Sequence, residues 1–243
     1  MIVAQIVCFI AIIVLGFVCF KSTPFRLQTR QMTLVSMFLV LALVLSYFSV
    51  MLGLFGFPTM KIGFAQLPLM LTGVFFGPGY AFIGGLLYDV PGLILTPTSM
   101  PFLGFTLGNI LVCVLPGLWT WFTPIRDYKR LGTLIAVLCA AILCVSLVYL
   151  WTYTYREAFA EKFMALTDPQ RVAITVGLSG IVIAVPVFMQ FAIRKQKPEH
   201  RDAMMNWFVC VFLVEVLVNL CLTPLWLKIM YQIPYMLNFF VRV

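Results

Sequence analysis

The sequence predicts an all-α, polytopic membrane helix bundle. Of its 243 residues, 63% are apolar and only 10% are charged, and the mean hydropathy is +1.08. Soluble domains carry about 45–50% apolar and about 25% charged residues. The apolar residues also form runs that reach the roughly 20 residues a helix needs to cross the hydrocarbon core. These observations exclude a soluble globular protein and leave no room for a soluble catalytic domain.

The apolar runs define the predicted membrane spans. They cover residues 2–20, 33–55, 64–77, 79–96, 102–122, 132–154, 172–193 and 205–227, and a last span begins near residue 235. No basic residue precedes the first run and no small-residue cleavage site follows it, so we expect an uncleaved helix rather than a signal peptide. Glycine and proline interrupt the short spans 64–77 and 79–96, which indicates either tight helix packing or the border of a ligand cavity.

Basic residues concentrate in three loops. The loops 21–32, 123–131 and 194–204 hold Lys21, Arg26, Arg30, Arg126, Lys129, Arg130, Arg194, Lys195, Lys197 and Arg201. All three loops lie on one side if the spans alternate, and the positive-inside rule places that side in the cytoplasm. The N-terminus is therefore predicted to be extracellular. This anchoring accounts for the net charge of +8, and we expect no nucleic-acid partner.

Ionisable residues inside the spans are the best candidates for a functional site. Asp89, Glu215 and Arg242 lie in apolar runs, with Asn109 and Asn219 as polar neighbours. A charge near the bilayer centre costs several kcal/mol, so such residues either pair with one another or serve a function. The common catalytic and nucleotide-binding motifs are absent from the sequence. We therefore predict no enzymatic activity, no metal and no cofactor bound by the chain itself.

Lysines and aromatic residues gather on the predicted outer side. This group comprises Phe57, Lys61, Phe102, Trp226, Lys228 and Tyr231. Each is compatible with ordinary anchoring at the membrane interface. The alternative is that the lysines attract an anionic ligand and that the rings stack on a flat heteroaromatic group.

The order of these features resembles a known transporter family. Residues 61–64 read KIGF and lead into LPLMLTGVFFGPG at 67–79; a glycine-rich helix with Asp89 follows, then PFLGFTL at 101–107 and NLCLTPLWLKIMY at 219–231. This pattern resembles the S component, the substrate-binding membrane subunit, of energy-coupling factor (ECF) vitamin transporters. The folate-type subfamily is the most similar.

The resemblance implies a six-helix core in a bacterial plasma membrane that binds one vitamin from outside. It also implies docking on a transmembrane coupling subunit driven by two ATPase subunits, which would bind the ATP. Residues 33–123 would supply the first four core helices and 205–243 the last ones, with the final helix apparently incomplete. About three further helices are then left over: one in 1–32 with its basic loop, and an inserted pair in 124–204.

Residues of this sequence can be assigned to the implied roles. The predicted substrate-binding set is Phe57, Lys61, Asp89, Phe102, Asn109, Glu215, Trp226, Lys228, Tyr231 and Arg242. The edge of a pterin ring donates two N–H bonds that a carboxylate such as Asp89 can accept, and a glutamate tail would favour Lys61, Lys228 or Arg242. Small residues near four-residue spacing on the first core helix form the predicted docking set: Ser36, Ala42, Ser46, Ser49 and Gly53.

Alternatives to a folate-binding S component remain open at this stage. An S component for another vitamin, such as pantothenate, pyridoxine or a queuosine precursor, would carry the same overall pattern. A non-transport membrane scaffold or assembly protein would use the extra helices to bind partner proteins. A stand-alone secondary carrier is less favoured because no inverted repeat is visible.

Overall fold

The computed structural model describes residues 2–22, 28–54, 57–95, 102–122 and 198–231, with parts of 132–144 and 184–195. Predictions that concern the loop 123–131, the last span or Arg242 lie outside these residues. Within them the predicted fold class is confirmed, because the described chain is a helical membrane bundle. In the described part of the chain, four segments are long and apolar enough to cross a membrane: Val3–Ser22, Thr29–Tyr47, Leu103–Trp121 and Ala203–Met230.

The first part of the bundle contains five helices and a hairpin. In chain order these are α1 (Ile2–Ser22), α2 (Thr29–Tyr47), β1 (Val50–Leu54), β2 (Phe57–Ile62), α3 (Gln66–Phe76), α4 (Pro78–Leu95) and α5 (Leu103–Phe122). The described positions within 132–144 and 184–193 are also helical. The last part is one continuous helical run of α6 (Pro198–Val214), a π-helix π1 (Glu215–Leu222) and α7 (Thr223–Tyr231).

The predicted span 33–55 is wrong at its end, since α2 ends at Tyr47 and a β-hairpin follows. Only two residues separate the strands, a spacing that allows antiparallel pairing alone. Gly53 is a poor helix former, and Pro58 cannot continue a helical hydrogen-bond ladder. Apolar content by itself does not distinguish a short strand from a helix, which is why the sequence pattern extended the helix too far.

The other described spans begin and end within a few residues of their predicted bounds, except the last. The predicted span 205–227 becomes a run from Pro198 to Tyr231. Proline suits the first position of a helix because the N–H it lacks would have no intrahelical partner there. The helix therefore begins inside the predicted basic loop.

Contacts divide the chain into two units. The first contains α1 to α5 and the segment from Cys210 through α7; the second contains Gly53–Met60 of the hairpin and the described parts of 132–144 and 184–209. Within the second unit the Gln190 side-chain amide donates to the carbonyl of Gly132, and the Lys195 ammonium lies 4.6 Å from the centre of the Phe191 ring.

Helix α5 is the centre of the first unit, because α1, α3 and α4 all pack against it. A Cβ atom at Gly73 would overlap the carbonyl oxygen of Cys113, and one at Gly85 would lie 2.6 Å from Ile110 Cα. Helices α3 and α4 therefore approach α5 backbone to backbone, as small residues permit in membranes. The sequence left two alternatives for these glycine-rich spans, tight helix packing and the border of a ligand cavity. The close contacts at Gly73 and Gly85 favour tight packing.

Helices α3 and α4 are joined by a turn at Gly77. This glycine has a φ of +83°, a backbone conformation that other residues adopt only with strain. Its N–H donates to the carbonyl of Gly73 over 3.0 Å. A side chain there would also meet the Trp121 ring at 3.0 Å. Both the backbone conformation and the available space therefore require glycine at this position.

Helix α1, the extra N-terminal helix, packs on α4 and α5 through one narrow strip. Cys8, Ile12 and Cys19 are buried along it, and Gly16 leaves room for the Phe82 ring. Most of its other apolar side chains are exposed, as expected for a helix that faces lipid.

Candidate functional site

The predicted site residues with described side chains gather at one end of the first unit. At this end, named here the Phe102 end, α3 and α5 begin and α4 finishes. The final helical run is antiparallel to α5, since Val218 lies beside Gly108 and Trp226 beside Gly104. Trp226 therefore also lies at the Phe102 end.

The first polar group, named here the Asp89 cluster, joins α4 to α5. Thr106 Oγ1 donates to Asp89 Oδ2 over 2.7 Å, and Asn109 Nδ2 donates to Asp89 Oδ1 over 2.8 Å. The carboxylate is 9% exposed. Both of its oxygens are thus engaged inside the protein by charge-assisted hydrogen bonds, which are among the stronger ones.

The second polar group, named here the Glu215 cluster, joins α3 to π1. Asn219 Nδ2 donates to Glu215 Oε2 over 2.8 Å. The side-chain amides of Gln66 and Asn219 also exchange two hydrogen bonds, of 3.4 Å and 3.3 Å. The Glu215 side chain is exposed, and its other oxygen, Oε1, accepts no hydrogen bond from the described residues.

The π-helix shapes the Glu215 cluster. Pro224 cannot donate a backbone hydrogen bond to the preceding turn. The carbonyl of Val218 accepts from the Thr223 N–H and also from Thr223 Oγ1, the latter over 2.8 Å. Wide turns of this kind are rare, and they are frequent at functional sites. Asn219 follows Glu215 by four residues, and its amide bonds both Glu215 and Gln66.

An aromatic group closes the Phe102 end. The Phe102 and Trp226 rings meet edge to face with centres 5.6 Å apart, and both are buried. Gly104 makes this possible, because a side chain there would collide with both rings. The buried Trp226 Nε1 has no hydrogen-bond partner among the described residues. These rings pack on each other, so ring stacking on a ligand stays a prediction.

The remaining predicted binding residues contribute less to the described geometry. Lys228 is exposed in α7. Phe57 and Lys61 lie in β2, and Tyr231 is the last residue of α7; only their places in the chain are described. In the described ranges, no three His, Cys, Asp or Glu side chains lie close enough together to hold a metal ion.

The predicted docking set does not form one exposed stripe. Ala42 is fully buried, which argues against a direct contact with a partner. Ser49 lies beyond the end of α2 and Gly53 lies in β1, so the expected helical spacing of these two residues is wrong. Ser36 is exposed and Ser46 is half-buried on α2.

Gln66 and Thr106 were missed by the sequence reasoning. Thr106 lies three residues before Asn109, and residues at this spacing share a helix face; that signal could have identified it. Gln66 gives no comparable local signal, because its partner Asn219 lies 153 residues away.

Comparisons with known proteins agree with this architecture. The family model for the substrate-specific component of ECF transporters matches residues 30–238. The chain belongs to this family. Among curated proteins it is similar to the folate transporter FolT of Clostridium novyi (strain NT), with 28% identity over 127 residues, which cover 52% of this chain and 72% of that protein. No solved structure matches significantly.

Membership makes the chain a multi-pass membrane protein and a substrate-specific ECF component. The predicted family is therefore confirmed, and it is a family of transporter components rather than of enzymes. Helix α1 lies before the matched residues, so it is an addition to the part of the chain that the family shares.

Proposed function

We propose that this S component captures a folate-like vitamin from outside the cell for ATP-driven uptake. The observation that carries the proposal is the pair of polar clusters flanking α5 at the Phe102 end of an otherwise apolar bundle. The similarity to a folate transporter supports the choice of vitamin. The basic loops support an arrangement with the Phe102 end and the N-terminus outside.

The chemistry of a folate suits this end of the bundle. A pterin ring offers N–H donors for a carboxylate and an apolar face for aromatic contacts. Lys228 is exposed at the same end and would attract the negative glutamate tail. Lys61 and Arg242 stay predictions for the same role.

The proposal includes docking on a transmembrane coupling subunit with two ATPase subunits. These subunits would bind the ATP, and the chain itself would need no cofactor. The outward face of α2 is a suitable surface, since it forms a shallow apolar groove. The groove is lined by Thr33, Leu34, Ser36, Met37, Phe38, Val40, Leu41 and Val44.

Binding of labelled folate to the purified protein tests the ligand. We expect saturable binding at or below micromolar concentration, with unlabelled folate as competitor. A parallel panel should contain pantothenate, pyridoxine and a queuosine precursor. Saturable binding of one of these but not of folate would reassign the vitamin. No binding of any would refute the capture of a vitamin and favour a scaffold role.

Co-purification tests the coupling. We expect the chain to be recovered with a coupling subunit and two ATPases when all are produced together. Met37→Trp, in the α2 groove, should reduce recovery at least about tenfold while ligand binding is retained. Phe188→Trp, at an exposed position elsewhere, is the matched control. Recovery with a different stable partner would contradict the coupling proposal.

A further inference from the structure

We propose that Glu215, rather than Asp89, is the carboxylate that reads the N–H donor edge of the ligand, with Gln66 as its polar neighbour. This assignment rests on the proposed function, because it concerns the same ligand and the same end of the bundle. It gives the two membrane carboxylates different tasks. Asp89 fastens α4 to α5, and Glu215 contacts the vitamin.

Both carboxylate oxygens of Asp89 already accept hydrogen bonds from the protein. Each of its oxygens accepts one strong bond from α5, and the side chain is 9% exposed. A ligand edge with two adjacent N–H groups needs both oxygens in one plane with room in front of them. At Asp89 that approach would compete with Thr106 and Asn109, which are half-buried and would lose their acceptor.

Glu215 has more free acceptor positions than Asp89, where two are used. An ionised carboxylate has about four acceptor positions, and Asn219 uses one of those on Glu215. The side chain is exposed although it lies within the apolar span Ala203–Met230. A charge there is costly unless hydrogen-bond donors contact it. The described residues supply one such donor, the Asn219 amide. A ligand with N–H donors would supply the others.

The two amides beside Glu215 complete a recognition pattern. Asn219 uses both amide hydrogens, one toward Glu215 and one toward Gln66, and is thereby fixed in orientation. The bonds between Gln66 and Asn219, at 3.3 and 3.4 Å, are longer than the usual 2.9–3.0 Å or so. Gln66 is therefore easily redirected toward a ligand and keeps a second N–H to offer.

The pattern matches one class of ligand edge. Glu215 offers adjacent acceptors, and Gln66 offers a donor. The 2-amino-4-oxopyrimidine half of a pterin carries the complement: an amino N–H, a ring N–H and a carbonyl oxygen. Removing the 2-amino group removes one of the donors and leaves the rest of the ring in place.

The experiment compares two ligands on four proteins. The dissociation constants of folic acid and of its 2-deamino analogue are measured for the wild type, Glu215→Gln, Asp89→Asn and the control Cys221→Ser, an exposed position on π1. We expect Glu215→Gln to weaken folic acid at least about tenfold, which corresponds to about 1.4 kcal/mol. The same change should alter the binding of the analogue less than about threefold.

Asp89→Asn and Cys221→Ser should leave the ratio of the two dissociation constants as in the wild type. Asp89→Asn should lower the melting temperature, whereas Glu215→Gln should not. Gln66→Leu is a second variant of the site, and we expect it to weaken both ligands by a similar factor without loss of fold, because both carry the carbonyl oxygen that Gln66 would meet.

The outcomes separate the two proposals. If folic acid binds and Glu215→Gln leaves its affinity unchanged, the assignment is overturned and the proposed function stands. If Asp89→Asn removes the discrimination between the two ligands, Asp89 is the reader and the assignment is also overturned. If the wild type binds no folic acid, the folate proposal fails and the assignment fails with it.

Discussion

The two polar clusters contain the same kinds of groups but satisfy them to different extents. Each has one carboxylate and at least one carboxamide, and both lie beside α5. In the Asp89 cluster both carboxylate oxygens accept bonds and the side chain is buried. In the Glu215 cluster one oxygen accepts a bond and the side chain is exposed. The first arrangement suits stability and the second suits binding.

Backbone distance explains the difference. Gly85 lies one helical turn before Asp89, and a Cβ atom there would lie 2.6 Å from Ile110 Cα. This close approach brings Asp89 within 2.8 Å of Asn109. Between α3 and π1 the side-chain amides of Gln66 and Asn219 bridge the gap instead, and their mutual bonds are longer. The comparison teaches that helix spacing, rather than residue type, decides which carboxylate is closed.

The largest expected effect comes from forcing α4 away from α5. Gly85→Ala should destabilise the fold by about 3 kcal/mol or more, because the added methyl group meets backbone atoms that cannot move aside. Thermal unfolding in detergent measures it. Gly92→Ala, in the same helix with nothing within 4 Å of the new atom, should have little effect. Equal melting temperatures for the two variants would contradict close packing at Gly85.

Removal of the two carboxylates should have unequal consequences for stability. Asp89→Ala should cost about 2–3 kcal/mol, because Thr106 and Asn109 lose a charged acceptor in a buried place. Glu215→Ala should cost less than about 1 kcal/mol, since one exposed bond is lost. Unfolding curves for the two proteins give both values. A larger loss for Glu215→Ala would reverse the comparison between the clusters.

The aromatic pair that closes the Phe102 end should give a smaller effect. Phe102→Leu should destabilise by about 1 kcal/mol, because it removes the edge-to-face contact with Trp226 and keeps most of the apolar volume. The unfolding curve of the variant checks this value. Phe64→Leu, at an exposed position, serves as control and should be nearly neutral. A Phe102 variant that matches this control would show that the ring contact adds nothing.

The smallest expected effect concerns the hydrogen bonds between the side-chain amides of Gln66 and Asn219. A double-mutant cycle with Gln66→Ala and Asn219→Ala should give a coupling energy of about 0.5 kcal/mol, in the range of side-chain hydrogen bonds between membrane helices. The same cycle for Asp89→Ala and Asn109→Ala should give at least about twice as much. Similar coupling energies in the two cycles would contradict the distinction between the Asp89 cluster, in which both carboxylate oxygens accept bonds, and the Glu215 cluster, in which one does.

Local sequence features predicted part of the site. Asp89, Asn109, Glu215 and Asn219 were found because polar groups are rare and costly in apolar runs. Their grouping was not predictable, since Gln66 and Asn219 are 153 residues apart. The β-hairpin was missed because apolar residues serve strands and helices alike. The burial of Ala42 was not predictable, because spacing along a helix does not show which face is buried.

The sequence by itself determined the class of protein, the approximate spans and the family. These follow from composition, from apolar runs and from short patterns around residues such as Gly77 and Pro224, all of which are local properties of the chain. Only the tertiary structure decided which carboxylate is enclosed, where Trp226 is buried and which side of α2 is free. Those outcomes depend on distances between helices that are far apart in the chain, and a hydrogen bond forms only where the packed backbones bring its donor within reach.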